Sequence, residues 1–307
     1  MSAPTERAVA VRCLALDHAA TSTCLALRER GVDAVLLKGA GLAYRLGVDR
    51  RYGDVDLLVA PAAFSAAERI LAELGAFPVI SGARLDDLSP HERSWRLPGH
   101  VPLVVDLHRG FAGAADAEAL WHEVWNSAEE FPLAGGRIPI PGQNCTALFV
   151  ALHAAAPGRS VRPRADLERA LMVLPADAWR AAGRIARRCQ AEEAYALGLR
   201  LADRGATMAA ELGLPERSSP SRWLLAHHGS VPAYSLARLA ELPTVAARLR
   251  HICRRAVPSP AMMRHSSPLA RRGRLGLLLA YANRLGRHAA RLPRAVLELR
   301  AARRAVR

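Results

Sequence analysis

Residues 36–59 read LLKGAGLAYRLGVDRRYGDVDLLV, and the architecture is built outward from them. The stretch begins and ends in short apolar runs, 34–37 (AVLL) and 55–59 (VDLLV). Runs of this length, rich in valine and leucine, predict buried strands. The first ends in Lys38-Gly39, a tight turn, and residues 40–46 then predict a helix of small residues. Gly53-Asp54 introduces the second. Upstream, Val9, Cys13, Leu16, Ala20 and Leu27 mark a helical stripe over 5–30, with Gly31 as its stop. Downstream, Pro61 suits the first turn of a helix that runs to Leu74 and closes at Gly75.

Further strands are expected at 77–80, 94–97 and 101–107, with Pro98-Gly99-His100 as a hairpin turn between the last two. Residues 81–92 read as polar and turn-like. A short helix over 116–126 carries Trp121 and Trp125, and 138–140 reads as one more strand. From 144 onward the pattern is helical: 144–155, 164–174, 176–204 whole or broken, 221–227 with 234–256, and 274–304. Pro293 is expected to break or kink the last of these. The fold class is therefore α/β (α+β), a mixed sheet flanked by helices. The expected parts are an α/β domain with its N-terminal helix over 1–142, a helical domain over 143–256 and an arginine-rich helical tail over 257–307.

The 307 residues are 51% hydrophobic, which excludes a disordered chain. Forty-three basic residues stand against 28 acidic ones, for a net charge of +15. Forty-two of the basics are arginine, and the single lysine is Lys38. Residues 248–307 hold 16 arginines and one acid, Glu298, so they carry +15 by themselves and residues 1–247 sum to zero. This is a neutral body with a basic end. Arginine's near-exclusive use reads as a coding bias, against which one retained lysine stands out. The cysteines at 13, 24, 145, 189 and 253 form no CxxC pair and no metal-ligand spacing, which suits a reducing compartment. With no signal-peptide core and no run of 18 apolar residues, the expectation is a cytoplasmic protein with no transmembrane segment. The body lacks interleaved aromatics for RNA and the spacing of a helix-turn-helix or zinc finger. Trp121, Trp125, Trp179 and Trp223 are expected in the core.

The chemistry-bearing residues are acids. Asp54 and Asp56, at i and i+2, share one face at the mouth of an apolar strand. Carboxylates there are costly unless a cation compensates them. Asp106 is a third, near the end of VPLVVDLH, with His108 facing the same way. Such acids can cap strands or pair with Arg50, Arg51 and Arg109. They can also hold magnesium, which takes carboxylate and phosphate oxygens. Clustered like charge suits phosphoryl chemistry better than acid–base work on sugars. Glycines in Lys38-Gly39-Ala40-Gly41 would let the backbone approach a phosphate, although the P-loop pattern GxxxxGK[ST] is absent.

At Lys38, Gly39, Tyr44, Arg50, Asp54 and Asp56 the chain resembles the signature of the uncharacterised bacterial nucleotidyltransferase family, similar to the DNA polymerase beta-type nucleotidyltransferases. Asp106-Leu107-His108 matches a later motif, and His153 with Asp166-Leu167 matches a third. The resemblance covers about residues 10–210. It implies two Mg²⁺ ions, replaceable by Mn²⁺, on Asp54, Asp56 and Asp106. It further implies transfer of a nucleoside monophosphate from a nucleoside triphosphate, ATP among them, to a hydroxyl on a small molecule, peptide or protein. Asp54 and Asp56 would ligate both metals, and Asp106 would complete the ion that activates the acceptor hydroxyl. Lys38, with Gly39 opening the backbone, would meet the β- or γ-phosphate. Arg50 would touch the triphosphate or pair with a nearby aspartate. His108 would orient Asp106 or meet the acceptor, and Arg109 stands beside it where the family commonly has tryptophan. Gln143-Asn144 occupies a place where an acid is common. The wider superfamily grips phosphates with a Gly-Ser turn, replaced here by Lys-Gly.

Two other functions compete. In one, 248–307 grips a nucleic-acid acceptor, as in a tRNA-directed transferase or toxin. In the other, a catalytically inactive nucleotidyltransferase fold serves as a binding protein. Arginines and leucines over 271–304 are spaced as a helix with one apolar side, able to pack on the body, dock a partner or lie on an anionic surface.

Overall fold

The computed structural model describes residues 6–49, 51–82, 89–156 and 162–306. Helix α1 (Glu6–Arg28) ends where Gly31 turns the chain through a φ of 76°. Strand β1 (Ala34–Leu36), helix α2 (Ala40–Leu46), strand β2 (Val55–Val59) and helix α3 (Phe64–Glu73) follow in the expected order. Strands β3 (Phe77–Pro78), β4 (Glu92–Arg96) and β5 (Val104–His108) complete a five-stranded sheet of order β1-β2-β5-β4-β3. Only the β2–β5 pairing is parallel, so the sheet is mixed.

Alternation along the strands sends side chains to two different cores. Leu36, Leu57, Val59, Val105 and Leu107 join Leu16 and Leu27 of α1 and Leu71 of α3. Val35 and Leu58 point to the opposite face and join Leu46 of α2 with the helices that follow the sheet. Those helices are α4 (Ala117–Asn126), α5 (Gln143–Ala154), α6 (Arg162–Val173), α7 (Ala176–Arg188), α8 (Glu192–Leu199) and α9 (Asp203–Glu211). Val35 and Leu58 thus share one core with Leu148, Trp179 and Tyr195, across the boundary expected at 142. Helices α5 and α8 approach so closely that a Cβ on Gly198 would lie 2.0 Å from the Ala151 carbonyl oxygen.

Several features depart from the sequence expectation or go beyond it. A second small sheet pairs β6 (Glu129–Leu133) with β7 (Gly136–Ile140). β6 reads EEFPL, largely exposed and interrupted by proline, so it gives no apolar run; a turn with positive φ at Ala134 and Gly135 creates the hairpin. The helical segment over 176–204 is broken where Gln190 takes a left-handed φ of 51° between α7 and α8, and the helix expected over 234–256 is divided after Glu241. Pro293 neither ends nor divides the last helix, which runs through it; the ring removes one backbone hydrogen bond on an exposed face.

The chain ends in α10 (Pro220–Ala226), α11 (Val231–Glu241), α12 (Val245–Ala256), α13 (Pro260–Ser266) and the 33-residue α14 (Gly273–Ala305). These share two small cores, one around Leu224, Ala233 and Leu299 and one around Met263, Ala270 and Ala280. Trp121 and Trp179 are buried, while Trp223 lies against Leu224's cluster and stacks on His227 at 4.2 Å. Among the described residues no helix is long and apolar enough to cross a membrane.

The five thiols are free. Burial pushes Cys24 and Cys189 up to about 12 and Cys145 up to about 11, whereas Cys253 is exposed. Thiolate, not thiol, is the nucleophile. A thiol reagent at pH 8 is therefore expected to modify Cys253 first and half-buried Cys13 next. The other three should react only after denaturation, as a mass-spectrometric time course would show.

Candidate active site

The geometry of the site is set by sheet register. Parallel pairing of β2 with β5 places Asp56 opposite Asp106 and Leu58 opposite His108. Neighbouring strands are about 4.8 Å apart, so the two carboxylates share one face side by side. On the other flank of β5, antiparallel β4 sets Ser94 opposite Asp106 and Glu92 opposite His108. Lys38 leaves the end of β1 next to β2, where Leu37 N–H donates to the Asp56 carbonyl at 2.9 Å. Asp54 lies exposed at the mouth of β2.

Asp56 is the centre of the group and is 4% exposed. Its Oδ1 accepts from Lys38 Nζ at 2.8 Å and lies 3.1 Å from His108 Nε2. His108 Nδ1 in turn lies 3.2 Å from Glu92 Oε2. Phe111 lies alongside, its ring centroid 5.8 Å from Lys38 Nζ, 6.3 Å from the His108 ring and 6.5 Å from that of His153. A recess lined by Val79, Ile80, Ser89, Glu92 and Ser94 shares Glu92 and Ser94 with this group.

Burial pushes the Asp56 carboxyl up, but the Lys38 ammonium and His108 outweigh it and hold the group far below the ordinary carboxylate range. Burial likewise pulls Lys38 down, and Asp56, then Asp54 and Glu92, outweigh it and raise its proton affinity. Asp106 has the opposite balance. Burial raises it, the charges of Asp56 and Asp54 raise it further, and the bond from Ser94 only partly opposes them. Asp106 Oδ1 is buried with no hydrogen-bond partner.

A carboxyl raised in the folded state favours stability at low pH and loses that contribution as pH rises through its folded pKa. Asp106→Asn is therefore expected to melt at a higher temperature than wild type at pH 7. The gain should shrink toward pH 4, where the aspartate takes up its proton. Thermal melts of both proteins at the two pH values check this, and a lower Tm for the variant at pH 7 would count against it.

All three aspartates offer hard oxygen donors of the kind magnesium takes. The unpartnered Asp106 Oδ1 is the atom a cation would satisfy, so the residues suit the ion in chemistry. In the structure, however, Lys38 and His108 hold Asp56 Oδ1. Among the described residues, no three His, Cys, Asp or Glu side chains are gathered into a metal-holding group.

The remaining expected residues lie as follows. Gly39 has a φ of 65°, and its open side faces the Tyr52 ring at 3.7 Å. The Tyr52 hydroxyl donates to Asp17 of α1, which ties the Lys38-Gly39 turn to the first helix. Tyr44 is exposed and lies 5.1 Å from the Phe131 ring. Arg109 is turned to the other face of the sheet, where Nε donates to the Pro90 carbonyl at 2.9 Å and the guanidinium lies over Phe64. Arg50 lies outside the described residues. Glu92, Ser94, Phe111 and Tyr52 were not among the sequence candidates. Only Tyr52 falls inside the opening stretch; the others come from the segment after the polar turn and from beyond β5.

Among solved structures, the antibiotic-resistance factor ANT(2'')-Ia shares 17% identity over 57% of this chain and 91% of its own, with a TM-score of 0.41. The lincosamide antibiotic adenylyltransferase LnuA, bound to lincomycin, shares 13% identity over 48% and 90%, with a TM-score of 0.32. JHP933 from Helicobacter pylori shares 13% identity over 78% and 100%, also at 0.32. Nothing about substrate rests on likenesses of this size. No protein of curated function matches the sequence. Residues 3–205 match the family described as uncharacterised nucleotidyltransferase. With two thirds of its length matching that family, the chain belongs to the uncharacterised nucleotidyltransferases.

Proposed function

We propose that the protein moves a nucleoside monophosphate from a nucleoside triphosphate to a hydroxyl-bearing acceptor. The observation that carries this reading is Asp106: a half-buried carboxylate whose Oδ1 is buried and without a hydrogen-bond partner, in register with Asp56 on the adjacent strand. Asp54, Asp56 and Asp106 are the residues that would hold magnesium, which when bound would neutralise triphosphate charge and favour the ionised acceptor hydroxyl. Lys38 is assigned to the triphosphate, with Gly39 keeping the turn free of a side chain. Moving its ammonium from Asp56 to a phosphate exchanges one anionic partner for another. His108, held between Asp56 and Glu92, positions the Asp56 carboxylate. In this reading residues 1–142 supply the chemistry, 143–256 buttress the sheet, and 257–307 serve another purpose.

Full-length protein incubated in cell extract with each α-labelled nucleoside triphosphate and Mg²⁺ or Mn²⁺ is expected to label an acceptor class, with Asp56→Asn protein as the blank. Label in small molecules, peptide or tRNA identifies the acceptor. No label above the blank with any nucleotide would overturn the proposal. It would favour the second reading, a non-catalytic binding protein, for which the occupation of Asp56 Oδ1 by Lys38 and His108 speaks.

A further inference from the structure

The basic end of the chain is more than a store of charge. Helix α14 buries only small residues and one leucine: Gly276, Ala280, Ala295, Leu299 and Ala302. Its larger apolar side chains face outward. Leu275, Leu278, Leu279, Leu285, Leu292 and Leu297 are between 46% and 70% exposed. At 100° per residue these six fall within one continuous sector, filled out by Ala282, Gly286, Ala289 and the exposed Pro293. The stripe is about 33 Å long at 1.5 Å per residue. Arginines stand at both ends of it: Arg271, Arg272 and Arg274 before, and Arg300, Arg303 and Arg304 after, the last three continuing the same sector. Helix α12 repeats the design. It has no buried residue, and Val245, Leu249 and Ile252 are exposed along one side with Arg248 and Arg255 at its border.

We propose that this end of the molecule is a docking surface for an anionic lipid bilayer, with α14 lying in the plane of the headgroups. Charge selects the occupant. A second copy of the same face would bring two regions of +15 together, which like-charge repulsion opposes. Nucleic acid would satisfy the arginines but leave six exposed leucines in water, and the region offers few aromatic rings on which bases could stack. An anionic bilayer satisfies both. Leucines enter the boundary between headgroups and acyl chains, while arginines at the stripe's ends meet phosphate. The helix carries too much charge to span the bilayer, so it would lie on it.

The test is co-sedimentation of the full chain with vesicles of phosphatidylcholine alone and of phosphatidylcholine containing about one third phosphatidylglycerol. Wild type is expected to sediment with the anionic vesicles, at least tenfold more tightly than with the neutral ones. The double variant Leu278→Glu, Leu285→Glu changes two exposed positions and should keep its helical circular dichroism while losing most of that binding. Failure of the wild type to bind anionic vesicles would overturn the proposal. So would undiminished binding by the folded double variant, since charge alone would then suffice. Binding of both proteins to single-stranded RNA, with neither on vesicles, would assign the surface to nucleic acid instead.

Discussion

Purified Asp56→Asn protein is expected to lose the proposed nucleotidyl transfer by about a thousandfold or more, because the change strips charge from the centre of the site. The substitution keeps the side chain's size and leaves an amide oxygen for Lys38 and His108, so folding should survive. What it removes is the anion that offsets a lysine ammonium with a side chain 21% exposed. A moderate loss of stability, about 1–3 kcal/mol, should accompany the loss of activity. Lys38→Met is the more damaging change to the fold. It leaves a carboxylate, its side chain 5% exposed, with His108 as its remaining partner, and breaking a buried pair from one side costs about 3–5 kcal/mol. The double variant Lys38→Met, Asp56→Leu replaces both charges with apolar groups and should regain most of that stability while remaining inactive. Urea unfolding of the single and double variants measures the coupling. Equal stability for Lys38→Met and wild type would show that the pair contributes nothing.

Gly198→Ala carries the other large effect, on stability alone. Alanine is the better helix former by about 0.5–1 kcal/mol, so propensity predicts a gain. The crossing of α5 and α8 reverses the sign. The added Cβ would lie 2.0 Å from the Ala151 carbonyl oxygen and 2.7 Å from its carbon, both backbone atoms that no rotamer change can move. The helices would have to separate by more than an ångström within the core that holds Leu148 and Trp179. A loss of about 3 kcal/mol or more is expected, seen as a Tm lower by roughly 6–12 °C. Gly286→Ala is the control, because a Cβ there meets nothing within 4 Å. It should hold or slightly raise the Tm. If both variants behave alike, close approach at Gly198 is not what limits the packing.

The central strands were legible because they are short, β-branched and apolar, and are closed by turns that carry glycine. β2 has the same bounds in the sequence as in the structure, and α2 follows the Lys38-Gly39 turn as its composition requires. The shared face of Asp56, Asp106 and His108 was legible too, from a period of two. What joins that face to Glu92 and Ser94 was not. Those contacts depend on the antiparallel register of β4 against β5, which is fixed by the hairpin between them and leaves no local pattern in ERSWR. Arg109 illustrates the same limit from the other side. Adjacent to His108 in sequence, it belongs to the opposite face by the same alternation. Lys38 was visible as the one lysine and as the start of the Lys38-Gly39 turn, but its bond to Asp56 required the β1–β2 pairing.

Because Asp56 and Asp106 meet through parallel register, the chain between them is free in a way the strands are not. Residues could be added or removed in the crossover from β2 to β5, which carries α3, β3 and β4, without moving either carboxylate. Adding a single residue within β2 or β5 would rotate an acid to the far face and set a leucine or valine in its place. Length variation among kindred chains should therefore gather between the two short strings VDLLV and VVDLH, and not within them. An insertion library across residues 55–108 should retain folding and the proposed transfer mainly at loop positions between the two strings, whereas insertions inside either string should abolish both.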